Sequence, residues 1–352
     1  MQKNSRNSQL ELLRIISIIL IIFHHAMIYT NWSEHSTYPL NEYLVQFLII
    51  GGKVGSNLFV ILSAWFLYDK SFKWSRVTKV WLPVIMYTVS IPFILSSIGL
   101  EKIDLDSLIE MFFPVLTFRY WYVTNYVMLL FFIPFLNILI CHLSKKEFQK
   151  LLLLCCLFFS IAPSLFGFDF GNDIIWFIFL FLITSYFKKY KNDIPNIFSL
   201  IKMTFFAVFF NLSSIVVLDY LKDIDNQIQV SSTILSKQES YLLLVVSVSL
   251  FLIFVQLPHF SNRIINYISS TVFGIYLIHD NKYIRSIIWE DLFKLNQYFD
   301  QRNLIVHILL TVSIIFISGV IIETFRRIIQ IGFTKMARKG KMYFDNFTWF
   351  EK

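Results

Sequence analysis

The stretch ELLRIISIILIIFHHA, residues 11–26, is an apolar helix with ionisable groups near both ends. Nine residues separate Arg14 from the His24–His25 pair, and all but Ser17 are large and apolar. Such a helix satisfies its own backbone in lipid, and about twenty residues at ~1.5 Å each cross a hydrocarbon core of about 30 Å. Arg14 and His25 are eleven residues apart. That separation is about 1100° of rotation, roughly 20° past three turns, and about 16 Å of rise, so both residues share one face. With Arg14 at an interface, His25 lies near the bilayer midplane, where an ionisable group facing lipid is costly and a cavity or pathway explains it better. A neutral His bonded to a neighbouring helix, with Arg14 snorkelling to headgroups, is the structural alternative, and helix geometry leaves both open. His24 points about 100° from His25, so only one of the pair is expected to face a cavity centre. His24 shares its face with Ser17 and suits a supporting role.

The remainder of the chain repeats this pattern. Of its 352 residues 56% are hydrophobic and 15% charged, and the mean hydropathy is +0.63. Apolar runs predict spans near 11–30, 52–68, 80–99, 120–140, 150–167, 173–187, 197–218, 241–257, 267–284 and 304–323. The apolar positions lack a sustained period of two, which argues against a membrane barrel. The expected fold is therefore an all-α membrane protein, a bundle of about ten transmembrane helices forming a single domain over residues 1–352. Residues 39–52 are apolar but short of a full span, which predicts an interfacial or re-entrant helix on the outer side. Cys141, Cys155 and Cys156 lack metal-ligand spacing and suggest neither a disulfide framework nor a zinc site, and no metal is expected. Lys3 and Arg6 before an apolar run resemble a secretory leader, but no small-residue cleavage site follows, which predicts a retained first helix.

Charge sets the orientation. Placing the N-terminus in the cytoplasm collects Lys3, Arg6, Lys70, Lys73, Arg76, Lys79, Lys145, Lys146, Lys150, Lys188, Lys189, Lys191, Arg263 and a basic tail from Arg326 to Lys352 on the inner side. The acidic stretches from Glu101 to Glu110 and from Asp219 to Asp225 then fall outside. The formal charge of +8 is explained by this asymmetry, with both termini cytoplasmic, and calls for no nucleic-acid partner.

An Arg, ten intervening residues and a His on the first helix resembles the signature of the acyltransferase-3 family of integral membrane acyltransferases. Four further segments are similar to that family in the expected order: GSNLFVILSAWFL (residues 55–67), FKWSRVTKVWLP (72–83), RYWYVTNYVMLLFFIPFLN (119–137) and VFGIYLIHD (272–280). Ala64 stands where the family usually has Gly, and Tyr122 where it has Phe. Lys79 replaces a common Arg, keeping charge but losing a bidentate fork.

The resemblance implies a membrane-bound O-acyltransferase of the cell membrane that moves an acyl group, most often acetyl from acetyl-CoA, to a hydroxyl of a cell-surface glycan or its lipid-linked precursor. A sugar hydroxyl is a poor nucleophile at neutral pH, and a neutral imidazole within reach can take its proton. His25 is expected as that base with Arg14, and His24 and His279 as supporting groups. CoA is anionic and made in the cytoplasm, so Arg14, Arg76 and Lys79 are candidate phosphate ligands. Tyr122, Asn125 and Tyr126 are candidate substrate contacts, although Tyr near span ends is also expected as an interface belt. Lys53, His279 and Asp280 are further polar positions within or beside predicted spans. Expected partners are the glycan acceptor, acyl-CoA and membrane lipids. A transporter or flippase for a glycan lipid is the alternative, but that class gives no reason for the Arg–His spacing followed by the Arg76/Lys79 pair.

Overall fold

A computed structural model describes residues 7–33, 35–167, 173–225 and 231–345, with 333–345 as backbone alone. Lys3, Arg6 and the basic tail beyond residue 332 lie outside the described side chains. Thirteen α-helices follow one another: α1 (Ser8–Ile28), α2 (Pro39–Leu67), α3 (Trp74–Ser97), α4 (Leu105–Phe112), α5 (Trp121–His142), α6 (Lys145–Cys156), α7 (Ala162–Phe166), α8 (Asp173–Lys189), α9 (Ile197–Ile224), α10 (Tyr241–Gln256), α11 (Arg263–His279), α12 (Lys282–Ser286) and α13 (Leu304–Asp345). A π-helical turn, Leu157–Ile161, joins α6 to α7 as one rod. Each predicted span falls on a helix. Among the described residues eight helical segments are long and apolar enough to cross a membrane, and α8 and α11 follow with 17 residues each. The chain is an all-α membrane protein.

Local sequence sets the helix ends. The Ser144 hydroxyl accepts from the Glu147 backbone N–H while the Glu147 carboxylate accepts from that of Ser144, which starts α6 with a capping box. Side chains of Asn196, Ser240 and Asn262 accept backbone N–H groups at the starts of α9, α10 and α11 in the same way.

Helix α1 lies at the centre, packed between α2 and α11, with α13 alongside. In its most apolar window 61% of residues are buried, against 22% for α9, which turns Phe205, Phe206, Phe209 and Phe210 outward as a lipid-facing helix would. Ser8 ties the start of α1 to the α10–α11 turn, donating to Asn266 Oδ1 at 2.8 Å while its hydroxyl accepts from the Asn262 N–H at 2.7 Å.

The segment 39–52 differs from expectation. It is neither interfacial nor re-entrant but the first half of α2, a continuous helix of 29 residues. Pro39 occupies its first turn, where the missing N–H is harmless, and the run continues through Gly51 and Gly52 without a break. Those glycines serve contact with α1. A Cβ on Gly52 would come within 2.3 Å of the His24 Cβ, and one on Gly55 within 2.5 Å of the Ser17 carbonyl oxygen. The two backbones meet at a distance only glycine allows, the small-residue packing expected where lipid offers no hydrophobic drive. Replacing Gly55 by Val forces the helices apart, at a cost of about 1–3 kcal/mol by the usual penalty for overpacking. Scanning fluorimetry of the detergent-purified Gly55→Val protein is expected to record a Tm several degrees below wild type, and an unchanged Tm would rule out this contact.

Candidate active site

A cavity of about 130 Å³ opens between α1, α2, α5 and α11. His24, His25 and Tyr29 come from α1 and the residue after it, Gly52, Lys53 and Ser56 from α2, Trp121 and Tyr122 from α5, and Tyr276 from α11. His25 lies in the last turn of α1, so the cavity sits toward the end of the helix and not at its middle. Both histidines line it. The 100° between neighbouring positions separates their side-chain directions, but the rings, 5.6 Å apart, converge on the rim, so the expectation that only one could face the cavity does not hold.

Hydrogen bonds assign the ring protons. His279, fully buried at the end of α11, has Nδ1 2.6 Å from the Ile275 carbonyl oxygen, which can only accept, so Nδ1 carries the proton. In the neutral ring Nε2 is then a lone pair, and it lies 2.9 Å from His25 Nδ1, which must donate to it. His25 Nε2 is left unprotonated. It stands 3.9 Å from Asp280 Oδ1, too far for a hydrogen bond yet close enough to stabilise an imidazolium. Asp280 is itself held by Arg285 Nη2 at 2.8 Å and by the Tyr29 hydroxyl at 2.8 Å. The Arg285 guanidinium also lies 4.0 Å from the Tyr29 ring centroid. In His24, Nδ1 donates to the Ile49 carbonyl oxygen at 2.6 Å, leaving Nε2 as its free nitrogen.

A second polar region lies nearer the start of α1. Arg14 pairs with Glu11 at 2.7 Å, and Glu11 accepts from Ser269. The fields of Arg14 and Arg76 both reach Tyr126, while the Arg76 guanidinium itself donates to the Ser71 carbonyl oxygen. The Tyr126 ring stacks on Tyr122 at 6.1 Å with planes 8° apart, Tyr122 meets Tyr276 at 6.0 Å, and Tyr276 meets His25 at 6.5 Å. An aromatic column therefore connects the Arg14–Arg76 region with the histidines.

A family model described as an acyltransferase domain, acyltransferase-3, matches residues 7–323. The chain belongs to the acyltransferase-3 family. No curated protein and no solved structure matches it.

Within this acyltransferase the predicted site residues divide. His24, His25 and Tyr122 meet at the cavity, and His279 stands directly behind His25. Arg14 lies in the second region with Glu11 and Ser269, and Arg76, bonded to Ser71, shares with it only a field that reaches Tyr126. Lys79 does not join it: exposed one turn along α3, it lines a surface groove with Arg326, Arg327 and Gln330. Asn125 turns away from the cavity, donating to the Trp121 carbonyl oxygen at 2.9 Å and to Asp173 at 3.4 Å. Tyr29, Gln238, Tyr276 and Arg285 are site residues that sequence reasoning passed over. Tyr29 had one available signal, its i,i+4 spacing from His25.

The arrangement places a bare imidazole nitrogen, oriented by a second imidazole, in a mostly apolar cavity, a group able to accept a hydroxyl proton. His279 fixes which His25 nitrogen is bare. Acyl transfer by His279→Ala is expected to fall, but by less than the roughly 10²–10⁴-fold typical of losing a general base. His279→Gln, whose side-chain carbonyl accepts from His25 Nδ1–H, is expected to recover part of the rate; wild-type rates in His279→Ala would remove this role.

Proposed function

We propose that this acyltransferase moves an acetyl group from acetyl-CoA to a hydroxyl of a cell-surface glycan or its lipid-linked precursor, acting in the cell membrane as one domain over residues 1–352. The observation that carries the proposal is the unprotonated His25 Nε2 within a cavity walled by Trp121, Tyr122 and Tyr276 and edged by Lys53, Ser56 and His24. Flat aromatic faces with a few polar groups suit a sugar ring, and a thioester is a sufficient electrophile for a hydroxyl activated by one base.

In the proposed step His25 Nε2 takes the acceptor proton as the hydroxyl oxygen attacks the acetyl carbonyl carbon. The new C–O bond forms, the tetrahedral centre collapses, and the C–S bond breaks to release the CoA thiolate, which takes up the proton from the imidazolium. Asp280 favours the transient imidazolium from 3.9 Å. The base needs no metal in this scheme. Arg14 and Arg76 bind the phosphates of CoA at the cytoplasmic end, Lys79 extends the positive field along α3, and Tyr126 and Tyr122 flank the arm that carries the acetyl group toward His25. Asn125 supports the acceptor site indirectly, through Asp173 and Trp121.

Two measurements separate chemistry from donor capture. His25→Ala is expected to abolish glycan acetylation in cells while acetyl-CoA binding and membrane insertion persist. Arg76→Ala is expected to weaken acetyl-CoA binding about ten-fold, the loss of a charge-assisted hydrogen bond worth about 1.5–3 kcal/mol. Full transfer by His25→Ala would end the base assignment.

Orientation has its own test. Cysteines introduced at positions 74 and 189 are expected to react with impermeant maleimide only from the cytoplasm, and one at position 104 only from outside. The inverse pattern would put the Arg14–Arg76 region on the side without CoA.

A further inference from the structure

The proposed base and donor contacts leave two cavity groups unused, Lys53 and Gln238. Lys53 follows Gly52 on α2, so the close approach of α1 and α2 brings it to the cavity that His24 and His25 line. The Gln238 side chain is 8% exposed, and its buried Nε2 has no hydrogen-bond partner among the described residues. It is set by a rigid scaffold: Asn57 Nδ2 donates to the Gln238 backbone carbonyl at 3.1 Å, while Asn57 Oδ1 accepts from Trp176 Nε1 at 2.9 Å. Asn211 and Ser240 hold the same loop, both donating to the Leu235 carbonyl oxygen.

No carboxylate lines the cavity among the described residues. Glu239 and Asp173 are the acids whose fields reach Lys53, and neither comes within ion-pair distance of it. An ammonium held in a mostly apolar cavity without a direct partner is costly, and a buried amide N–H left unpaired on a residue of the same cavity adds to that cost. Both costs are relieved by one ligand group that accepts from two donors and carries negative charge. A neutral sugar hydroxyl satisfies only one of these conditions.

From this juxtaposition we infer that Lys53 and Gln238 form an anion subsite, and that the acceptor is an acidic glycan bearing a carboxylate or phosphate beside the hydroxyl that is acylated. The inference rests on the acyl-transfer function proposed above and adds the acceptor's charge. The acceptor stacks on Trp121 and Tyr122, its anion engages Lys53 Nζ and, once the side-chain amide turns its N–H into the cavity, Gln238, and its hydroxyl meets His25. The anion fixes which hydroxyl is presented, so the pair selects position as well as substrate.

The test is mass spectrometry of surface glycans from cells expressing the full chain, its Lys53→Gln, Lys53→Arg and His25→Ala variants, or none, with membrane levels matched by immunoblot. Fragmentation is expected to locate the chain-dependent acetyl group on a unit carrying a carboxylate or a phosphate, the fragment mass saying which. Lys53→Gln is expected to lower acetyl occupancy at least about ten-fold, with Lys53→Arg retaining most of it. Acetyl on a neutral unit without a neighbouring anion overturns the inference, even if Lys53→Gln is inactive, because Lys53 would then serve the reaction and not the acceptor's charge. Wild-type occupancy in Lys53→Gln together with loss in His25→Ala also overturns it while leaving acyl transfer intact. Glycans identical with and without the chain would instead defeat the acyl-transfer function itself.

Discussion

The site depends on how closely α1 approaches α2. At Gly52 and Gly55 the helices touch backbone to side chain and backbone to backbone, with no room for a Cβ. That contact fixes the rotation of α1, and the rotation sends His24 to the Ile49 carbonyl and His25 toward His279. It also fixes the rotation of α2, which carries Lys53 and Ser56 to the rim of the same cavity. In a bilayer, helix association gains little from the hydrophobic effect, so intimate packing and buried polar bonds must hold the geometry. Here the contact that stabilises the helix pair is also the one that positions the proposed base.

The histidine pair illustrates how a backbone carbonyl far from any substrate sets reactivity. Ile275 accepts the His279 proton, which leaves His279 able only to accept, which in turn forces His25 to donate through Nδ1. The order runs in one direction because a carbonyl has no proton to give. Asp280 then waits at the other side of His25, neutralised in part by Arg285 and held by Tyr29. In the proposed reaction its carboxylate is thus preorganised for a charge that exists only during proton transfer, where electrostatic stabilisation is most effective.

Hydropathy made the helices legible because a membrane span must be long and continuous to meet its physical constraint, and each predicted segment is helical. The Arg14–His25 pair and the segment ending at His279 were legible as spacing and motif. Residues 39–52 were misread because the run was measured against a full span by itself, whereas it continues through Gly51 and Gly52, which serve contact with α1, into one helix of 29 residues. The same limitation hid the shared cavity of His24 and His25: helical phase gives the direction of a Cβ, and long side chains converge beyond it. Asn125 and Lys79 have the residue types their assigned roles require, yet they face α8 and the α3–α13 groove. Gln238 lies in a connecting segment and Arg285 in the five-residue α12, too short to show a periodic pattern, and only the folded chain brings them to the histidines.

The distribution of charge along the bundle bears on how donor and acceptor meet in the proposed reaction. The Arg14–Arg76 region and the histidine cavity are distinct; the Tyr126–Tyr122–Tyr276 column meets His25 at one end, and the fields of both arginines reach Tyr126 at the other. A donor anchored by its phosphates at one end can present its thioester at the other without either end moving, because its flexible arm bridges the separation. Tyrosines suit such a passage, offering apolar faces to the arm. In the proposed reaction the anionic head stays beside the arginines while the reactive carbon enters a cavity with mostly apolar walls. On this view the eleven-residue spacing of Arg14 and His25 is the separation between the held and the reacting ends of one extended donor.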